Sequence, residues 1–322
     1  AVPTPARSFR LQALQRRFIA RGLLPFSLGA ARTYRHFRRG WKNGVPRTFN
    51  EKLQYKLIHD RRPLVRLFSD KLAVRDYVRS ATPSLRLPQL LAVFASTAEV
   101  TANVPPLPWV MKASHGSGMV RMGDPQNPPS RSEIGRLAWR WLHTDYALTY
   151  WEWHYLGLPR RILFEEHLGA GADAPADYKF YVIHQRVRLI TVDEGRFSHH
   201  TRNLFYPDWT PIASAKGHAP PASVPPPRPE RLDEMLQLAE QLGAETDFVR
   251  ADFYVVRGEI VFGELTHAPA AGDFDFTDPQ LDLELGRYWT LPADYRRITP
   301  PSRARTAGTS PVQPAPTAAL QP

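Results

Sequence analysis

Residues Phe248–His267, FVRADFYVVRGEIVFGELTH, decide how this chain is to be read. Two runs rich in β-branched and aromatic residues flank Arg257-Gly258-Glu259, the pattern of a β-hairpin. A three-residue loop over those positions pairs Val256 with Ile260. The same register sets Asp252 opposite Glu264 and Arg250 opposite Thr266. Side chains alternate along a strand, so these four share one face. Directly opposed residues have Cβ atoms roughly 4.5–5.5 Å apart. Two carboxylates that close repel unless a positive charge stands between them. A hard divalent cation meets that need, and Mg²⁺ favours a few carboxylates together with phosphate oxygens. The opposite face, Val249, Ala251, Phe253, Val255, Val261, Gly263 and Leu265, is apolar and suited to a core. Two alternatives stay open. A two-residue loop would slip the register and send the acids to opposite faces, and a solvated acidic patch beside Arg250 would need no ion.

Upstream, Met111–Met119 (MKASHGSGM) follows a short apolar run. Glycines after a strand let backbone approach a phosphate. The Walker loop, however, places its lysine after the glycines, whereas Lys112 precedes them. A surface turn explains this stretch equally well on its own. Trp109–Ala113 reads as a strand, Ser132–Tyr146 as a helix, and Arg161–Leu168 as a strand ending in acids. Tyr178–Ile183 and Val187–Val192 read as a hairpin around His184-Gln185-Arg186. Arg231–Leu242 reads as an amphipathic helix with Leu232, Met235, Leu236, Leu238 and Ala239 inward. Thr48-Phe49-Asn50-Glu51 has the form of a capping box opening a helix to about His59. A further helix is predicted over Ser69–Arg79. Strands with intervening helices indicate an α+β or mixed α/β body.

The chain has 322 residues and no cysteine, which excludes disulfide frameworks, thiolate zinc sites and cysteine nucleophiles. Its net charge of +11 is uneven: residues 1–80 hold 19 Lys/Arg against 4 Asp/Glu. Residues 7–40 read as helical, with a narrow apolar stripe of Leu11, Leu14, Phe18 and Ile19 among arginines. Such a segment fits an anionic membrane or polymer surface, or a solvated helical face. The basic excess avoids the body, and no helix-turn-helix or aromatic RNA-binding motif is visible, so nucleic acid is not expected. Arginines at 7, 10, 16, 17 and 21 break every early apolar run, and the stretch near Leu87–Ala98 is too short to span a bilayer. These features fit a cytoplasmic protein, peripheral at the inner membrane face if residues 1–45 dock there. The Pro- and Ala-rich tail over 299–322 reads as disordered. His199-His200 is not a metal pair, because adjacent residues point apart on a strand. Trp139, Trp141, Trp151 and Trp153 read as core or interface rather than as a sugar-stacking platform.

Several motifs stand in a recognisable order. They are Lys112 before His115-Gly116-Ser117-Gly118, Leu163-Phe164-Glu165-Glu166-His167-Leu168, Asp177-Tyr178-Lys179, Arg250 with Asp252, and Glu264 with Thr266. The order resembles the ATP-grasp superfamily and, more closely, its TupA-like branch, linked with teichuronopeptide and polysaccharide biosynthesis. Thr48–Leu53, Asp70-Lys71, Val74–Val78, Thr201-Arg202-Asn203 and Phe262–Thr266 extend the likeness over about Pro46 to Tyr288.

The resemblance implies an α+β ATP-grasp fold, two subdomains sandwiching ATP. It divides the chain into a basic helical region (1–45), a helical region (46–104), a subdomain with a glycine-rich flap (105–168), a subdomain with the Mg²⁺ site (169–298) and the tail. It implies that Lys112, Lys179 and Arg250 are catalytic. Lys112, Ser114, His115, Gly116, Ser117, Gly118, Glu165, Glu166, His167, Leu168 and Lys179 would bind ATP. Asp252 and Glu264 would hold Mg²⁺. Arg202, Asn203, Arg250, Thr266 and His267 would contact substrate, although His115, Arg202, Asn203 and His267 also admit structural readings. Thr266 stands where many relatives carry Asn, and Met119 where another glycine is frequent. The implied activity is an ATP-dependent carboxylate–amine ligase working through an acylphosphate. It would join an amino acid or peptide to a carboxylate, such as a uronic acid on a glycan. A kinase acting on a sugar or polymer hydroxyl, and a non-catalytic basic glycan- or membrane-binding protein, are the alternatives.

Overall fold

A computed structural model describes residues 45–295 except 151, 170–174, 197 and 294. The basic segment 1–44 and the tail 299–322, with the expectations placed on them, lie outside the described residues.

The chain enters through α1 (Phe49–His59), whose Thr48 and Glu51 form the expected reciprocal capping box. The helix expected over Ser69–Arg79 begins only at Val74, as α3 (Val74–Ala81), and an unexpected helix α2 (Pro63–Ser69) precedes it. Between them the Asp70 side chain accepts from the amides of Leu72 and Ala73 at 2.9 and 3.3 Å. That local alternative to helical bonding breaks the run.

The first sheet has the order β1-β4-β2-β3 and is antiparallel throughout. Its strands are β1 (Leu90–Phe94), β2 (Trp109–Ala113), β3 (Val120–Gly123) and β4 (Ile162–Glu166). One face, with Trp109, Met111, Ala113, Ile162 and Phe164, packs on Ile134, Ala138, Trp141 and Leu142 of α5 (Arg131–His143). The short helices α4 (Thr97–Ala102) and α6 (Tyr146–Tyr150) complete this half.

The second sheet has the order β7-β6-β5-β8-β9, again antiparallel. It comprises β5 (Asp177–Ile183), β6 (Arg186–Glu194), β7 (Thr201–Phe205), β8 (Phe248–Val256) and β9 (Glu259–Thr266). One face is apolar from edge to edge. Phe180, Val182, Ile190, Val192, Ala251, Phe253, Ile260 and Phe262 bury against α7 (Leu232–Leu242), with Leu232, Met235, Leu238 and Ala239 inward as expected. The other face is divided. At one end Tyr181, Ile183, Leu189, Leu204 and Phe248 pack under Phe49 and Leu53 of α1 and Leu281 and Leu285 of α8 (Pro279–Tyr288). The remainder of that face is polar.

Both hairpin loops are shorter than expected. Val256 pairs with Glu259, leaving a two-residue turn of Arg257 and Gly258 with φ of 52° and 78°. His184 and Gln185 make the same kind of turn, with φ of 46° and 62°. Turns with positive φ at both central residues match the twist of the flanking strands better than longer loops do. The shorter loop also exchanges residues near it: Ile260 and Phe262 face the core rather than Val261 and Gly263. Yet the acids are not separated. The ladder shifts between Asp252 and Phe253, and beyond the shift Asp252 stands opposite Glu264 and Arg250 opposite Thr266. The extra residue of this β-bulge is Gly263, where an added Cβ would lie 2.9 Å from the Asp252 carbonyl oxygen. The bulge restores the register that the short turn removes.

Candidate active site

The polar face is built by register. Lys179 pairs with Asp252, Tyr181 with Arg250, Asp177 with Asp193, Lys179 with Thr191, and Asp193 with Arg202. Paired residues project to the same side, so four neighbouring strands converge on one patch.

Its centre is Arg250. The guanidinium donates to both Asp252 oxygens at 2.7 and 2.6 Å, to Glu264 Oε1 at 2.6 Å and to Thr266 Oγ1 at 3.2 Å. The positive charge between the two acids is therefore supplied by the chain itself. Burial pushes the Asp252 carboxyl up to about 7, against the pull of Arg250 and Lys179. Glu264 lies at the half-exposed rim; burial raises its carboxyl, but Arg250, Lys71 and the Thr266 hydroxyl together outweigh that and hold it at about 2. Lys179 is ion-paired with Asp177, with Asp193 at 3.0 Å and with Asp252 at 3.9 Å. Arg202 grips Asp193 at 2.6 and 3.1 Å, and His200 adds a contact at 2.9 Å. Despite these contacts, Asp177 Oδ1, Tyr181 Oη and Thr191 Oγ1 are buried without a well-formed hydrogen bond. Buried polar atoms in a folded protein almost always find partners. Three such atoms on one face mark a surface suited to partners from outside.

The first sheet supplies the other wall. Lys112 meets Glu165 at 2.6 Å, and Arg75 from α3 meets the same carboxylate at 3.0 Å. Lys71, between α2 and α3, bonds to the Gly116 carbonyl through its ammonium and to the Ser114 carbonyl through its amide at 3.2 Å. Burial lowers its pKa, while Glu264 and Glu165 act on it from the two walls. One lysine thus stands between the sheets.

The TupA-like ATP-grasp family model matches residues 51–290. The chain belongs to this family. A search among curated proteins found no match. Among solved structures, the chain is similar to D-alanine–D-alanine ligase from Helicobacter pylori, with 15% identity and a TM-score of 0.40 over 70% of this chain and 62% of that one. It is similar to the ATP-grasp ligase PsnB complexed with minimal precursor, Mg and ADP, at 15% identity and a TM-score of 0.39 over 83% and 67%. L-amino acid ligase from Bacillus licheniformis gives 11% and 0.40 over 66% and 46%. The chain thus spans less than two thirds of the length of the D-alanine ligase.

Within this TupA-like ATP-grasp chain, the expected site residues divide by position. Lys112, Glu165, Lys179, Arg202, Arg250, Asp252, Glu264 and Thr266 border the two walls. In the glycine loop only Ser117 and Gly118 are exposed. Ser114 is fully buried, donates to the Pro159 carbonyl at 2.9 Å and accepts from the Arg161 amide at 3.1 Å. His115 is held on the Trp141 carbonyl at 3.0 Å, and burial pushes it down to about 4. Gly116 lies under Tyr146, whose ring an added Cβ would meet at 2.8 Å. The side chains of Ser114 and His115 therefore anchor the loop. Glu166 is tied to Arg86 at 2.7 Å and to the Gln89 amide at 2.7 Å, where the two sheets join; His167 bonds the Gly169 carbonyl, and Leu168 follows half-buried. Two residues lie off the patch. Asn203 projects to the opposite face and accepts from the Ala222 amide at 3.2 Å. His267 is buried against His154, ring centroids 4.1 Å apart.

The residues present suit a divalent ion of modest protein coordination. Glu264 Oε2 accepts no hydrogen bond, whereas Oε1 accepts two. No group of three or more acidic or histidine side chains is arranged to hold a metal ion by itself among the described residues. Two carboxylates with the remaining ligands drawn from nucleotide oxygens is the usual way Mg²⁺ is held. Sequence reasoning assigned no role to Lys71, Arg75, Asp193, Tyr181 or Lys216. Lys71 and Arg75 stand in recognised motifs, and strand alternation from Lys179 points to Tyr181. Nothing in the local sequence singles out Lys216.

Proposed function

We propose that the chain is an ATP-dependent carboxylate–amine ligase, joining an amino acid or peptide to a carboxylate such as a uronic acid of a glycan. The observation that carries the reading is the charged patch around Arg250, with three buried polar atoms lacking a well-formed hydrogen bond, facing Lys71 and Lys112 within a family of ATP-grasp proteins. A carboxylate is a poor acylating agent because oxide is its leaving group. ATP, when bound with Mg²⁺, supplies the phosphoryl group that converts this into a phosphate leaving group. The chain's own residues do the electrostatic work. Lys112 and Lys179 offset phosphate charge from the two walls, and Asp252 and Glu264 hold the metal. Arg250 sits on both acids, so it is placed to turn its fork onto the reacting carboxylate when a metal takes its present role. The Ser117-Gly118 tip covers the phosphates and excludes water, with Ser114, His115 and Lys71 fixing its base.

The test is ADP release with ATP and Mg²⁺ against a panel of amines and acidic sugars, in wild type and Glu264→Gln. Turnover that needs both an amine and a carboxylate, and is lost in the variant, supports the ligase. Turnover with a sugar alone replaces it with the kinase.

A further inference from the structure

Five lysines and arginines are buried among the described residues: Lys56, Arg62, Arg75, Lys179 and Lys216. Four have a carboxylate within 4.0 Å. Lys216 has none, although it is only 6% exposed. It sits in the segment between β7 and α7, fixed by a backbone bridge to Phe276 and by its carbonyl, which accepts from Arg202 Nη1 at 3.1 Å. Its ammonium lies 3.8 Å from the centre of the Phe274 ring and 5.6 Å from that of Tyr181. Two rings soften the burial of a charge but do not neutralise it. Burial therefore lowers the Lys216 pKa, with the Tyr181 phenol acting against it.

Tyr181 completes the observation. It is fully buried, and its Oη has no well-formed hydrogen bond, Lys216 being the side chain that acts on it most strongly. It stands opposite Arg250 in the β5–β8 ladder, on the polar face. Burial alone would raise the phenol, yet Lys216, Arg250 and Arg202 bring it below its ordinary value. The region around it is therefore dominated by positive charge. The inventory agrees. Lys179, Arg196, Arg202, Lys216 and Arg250 stand against Asp177, Asp193, Asp252 and Glu264. Among the described residues, Lys216 is the cation of this set with no acid within 4.0 Å.

We propose that the Lys216 ammonium and the Tyr181 hydroxyl form a subsite for a substrate carboxylate, beside Arg250. One uncompensated positive charge calls for a monoanion. Two donors, an ammonium and a phenol, match the two oxygens of a carboxylate; a phosphoryl group would leave oxygens unpaired. The aromatic walls suit an apolar or sugar-ring body carrying that acid. This inference rests on the ligase reading for the identity of the reaction, and adds where the acid of the substrate is held.

The experiment uses the full chain, with Lys216→Met and Tyr181→Phe as shape-conserving variants. Thermal unfolding is followed at constant ionic strength in sodium D-glucuronate, sodium phosphate, and sodium chloride with D-glucose. D-glucuronate raises the wild-type Tm above the chloride–glucose control, and both variants lose that increment. Without glucuronate, Lys216→Met unfolds at or above the wild-type temperature, because it removes an unpaired buried charge. An equal glucuronate increment in all three proteins, or none in wild type, overturns the subsite. So does a Lys216→Met protein whose Tm falls, which would give the lysine a structural role. An increment with phosphate alone replaces the carboxylate by a phosphoryl ligand and also overturns it. Binding of a non-hydrolysable ATP analogue with Mg²⁺ is measured on the same proteins. Its retention with loss of the glucuronate effect separates this subsite from the nucleotide reading, and its absence in wild type sinks that reading instead.

Discussion

Two buried charge networks in this molecule have similar composition and opposite character. One joins Lys56, Asp60, Arg62 and Asp247. Lys56 meets Asp60 at 2.6 Å and Asp247 at 2.8 Å, and Arg62 meets the same two acids at 2.5 and 2.8 Å. The second oxygen of Asp247 accepts from Trp289 Nε1 at 2.9 Å and from Tyr295 Oη at 2.8 Å. None of these side chains has an orphaned atom. The other network joins Asp177, Lys179, Asp193, Arg250, Asp252 and Glu264, and Asp177 has an unmatched oxygen, as do Tyr181 and Thr191 beside it. The first closes on itself and locks α1 to the start of β8. The second leaves its valences for something else. A fully satisfied network serves stability, and an unsatisfied one on a shared face serves binding.

Substitutions break the comparison in opposite directions. Asp247→Ala strips the closed network of an acid that holds two cations and two ring donors. It is expected to cost about 3–5 kcal/mol of folding stability, read by urea denaturation. A loss below about 1 kcal/mol would mean that the network is not the lock described here. Glu264→Gln acts on the open network. ADP release should fall on the order of 10²–10³-fold with Tm nearly unchanged, the reverse pattern. A large Tm loss with preserved turnover would assign Glu264 to structure.

Gly263→Ala sharpens the contrast by touching only position. Its Cβ would press on the Asp252 carbonyl and Cβ, at 2.9 and 3.2 Å. Displacing Asp252 should reduce turnover roughly ten- to a hundredfold, with a smaller effect on stability. Unchanged turnover would show that the bulge does not set the acid's position.

The smallest effect is one of pH, and it belongs to neither network. His115 is pushed down to about 4 by burial, helped by Arg160 and Lys71 and opposed by its bond to Trp141 and by Asp145. His154 and His267 are also lowered, chiefly by burial. A histidine lowered on folding binds its proton more readily unfolded. Its contribution is therefore complete above the unfolded value near 6.5 and is lost as pH falls toward about 4. His115→Gln should flatten the fall in stability across that window by at most about 1.4 kcal/mol per pH unit. An unchanged slope would mean that His115 protonates freely in the fold.

The comparison also shows what the sequence could disclose. The pairing of Asp252 with Glu264 is legible from alternation, but through a three-residue loop that the protein does not have. A positive-φ turn at Arg257-Gly258 won over the longer loop, and the bulge at Gly263 corrected the register. Strand β7 and helix α8 escaped notice because their burial is decided by distant partners: Leu204 and Leu281 meet only through the cluster around Phe49. Tyr181 and Lys216 escaped for the same reason. A lone lysine after Ser214-Ala215 has no local pattern, and only packing shows that it lacks an acid.

The most direct test of the account is calorimetric binding of a non-hydrolysable ATP analogue, with and without Mg²⁺, to wild type, Glu264→Gln and a Lys56→Met variant of the closed network that remains folded by circular dichroism. The account predicts Mg²⁺-dependent binding in wild type and Lys56→Met, and loss of the Mg²⁺ dependence in Glu264→Gln. Binding that ignores Glu264, or that fails in Lys56→Met while surviving in Glu264→Gln, would contradict the division of the molecule into a closed network for stability and an open one for ligand.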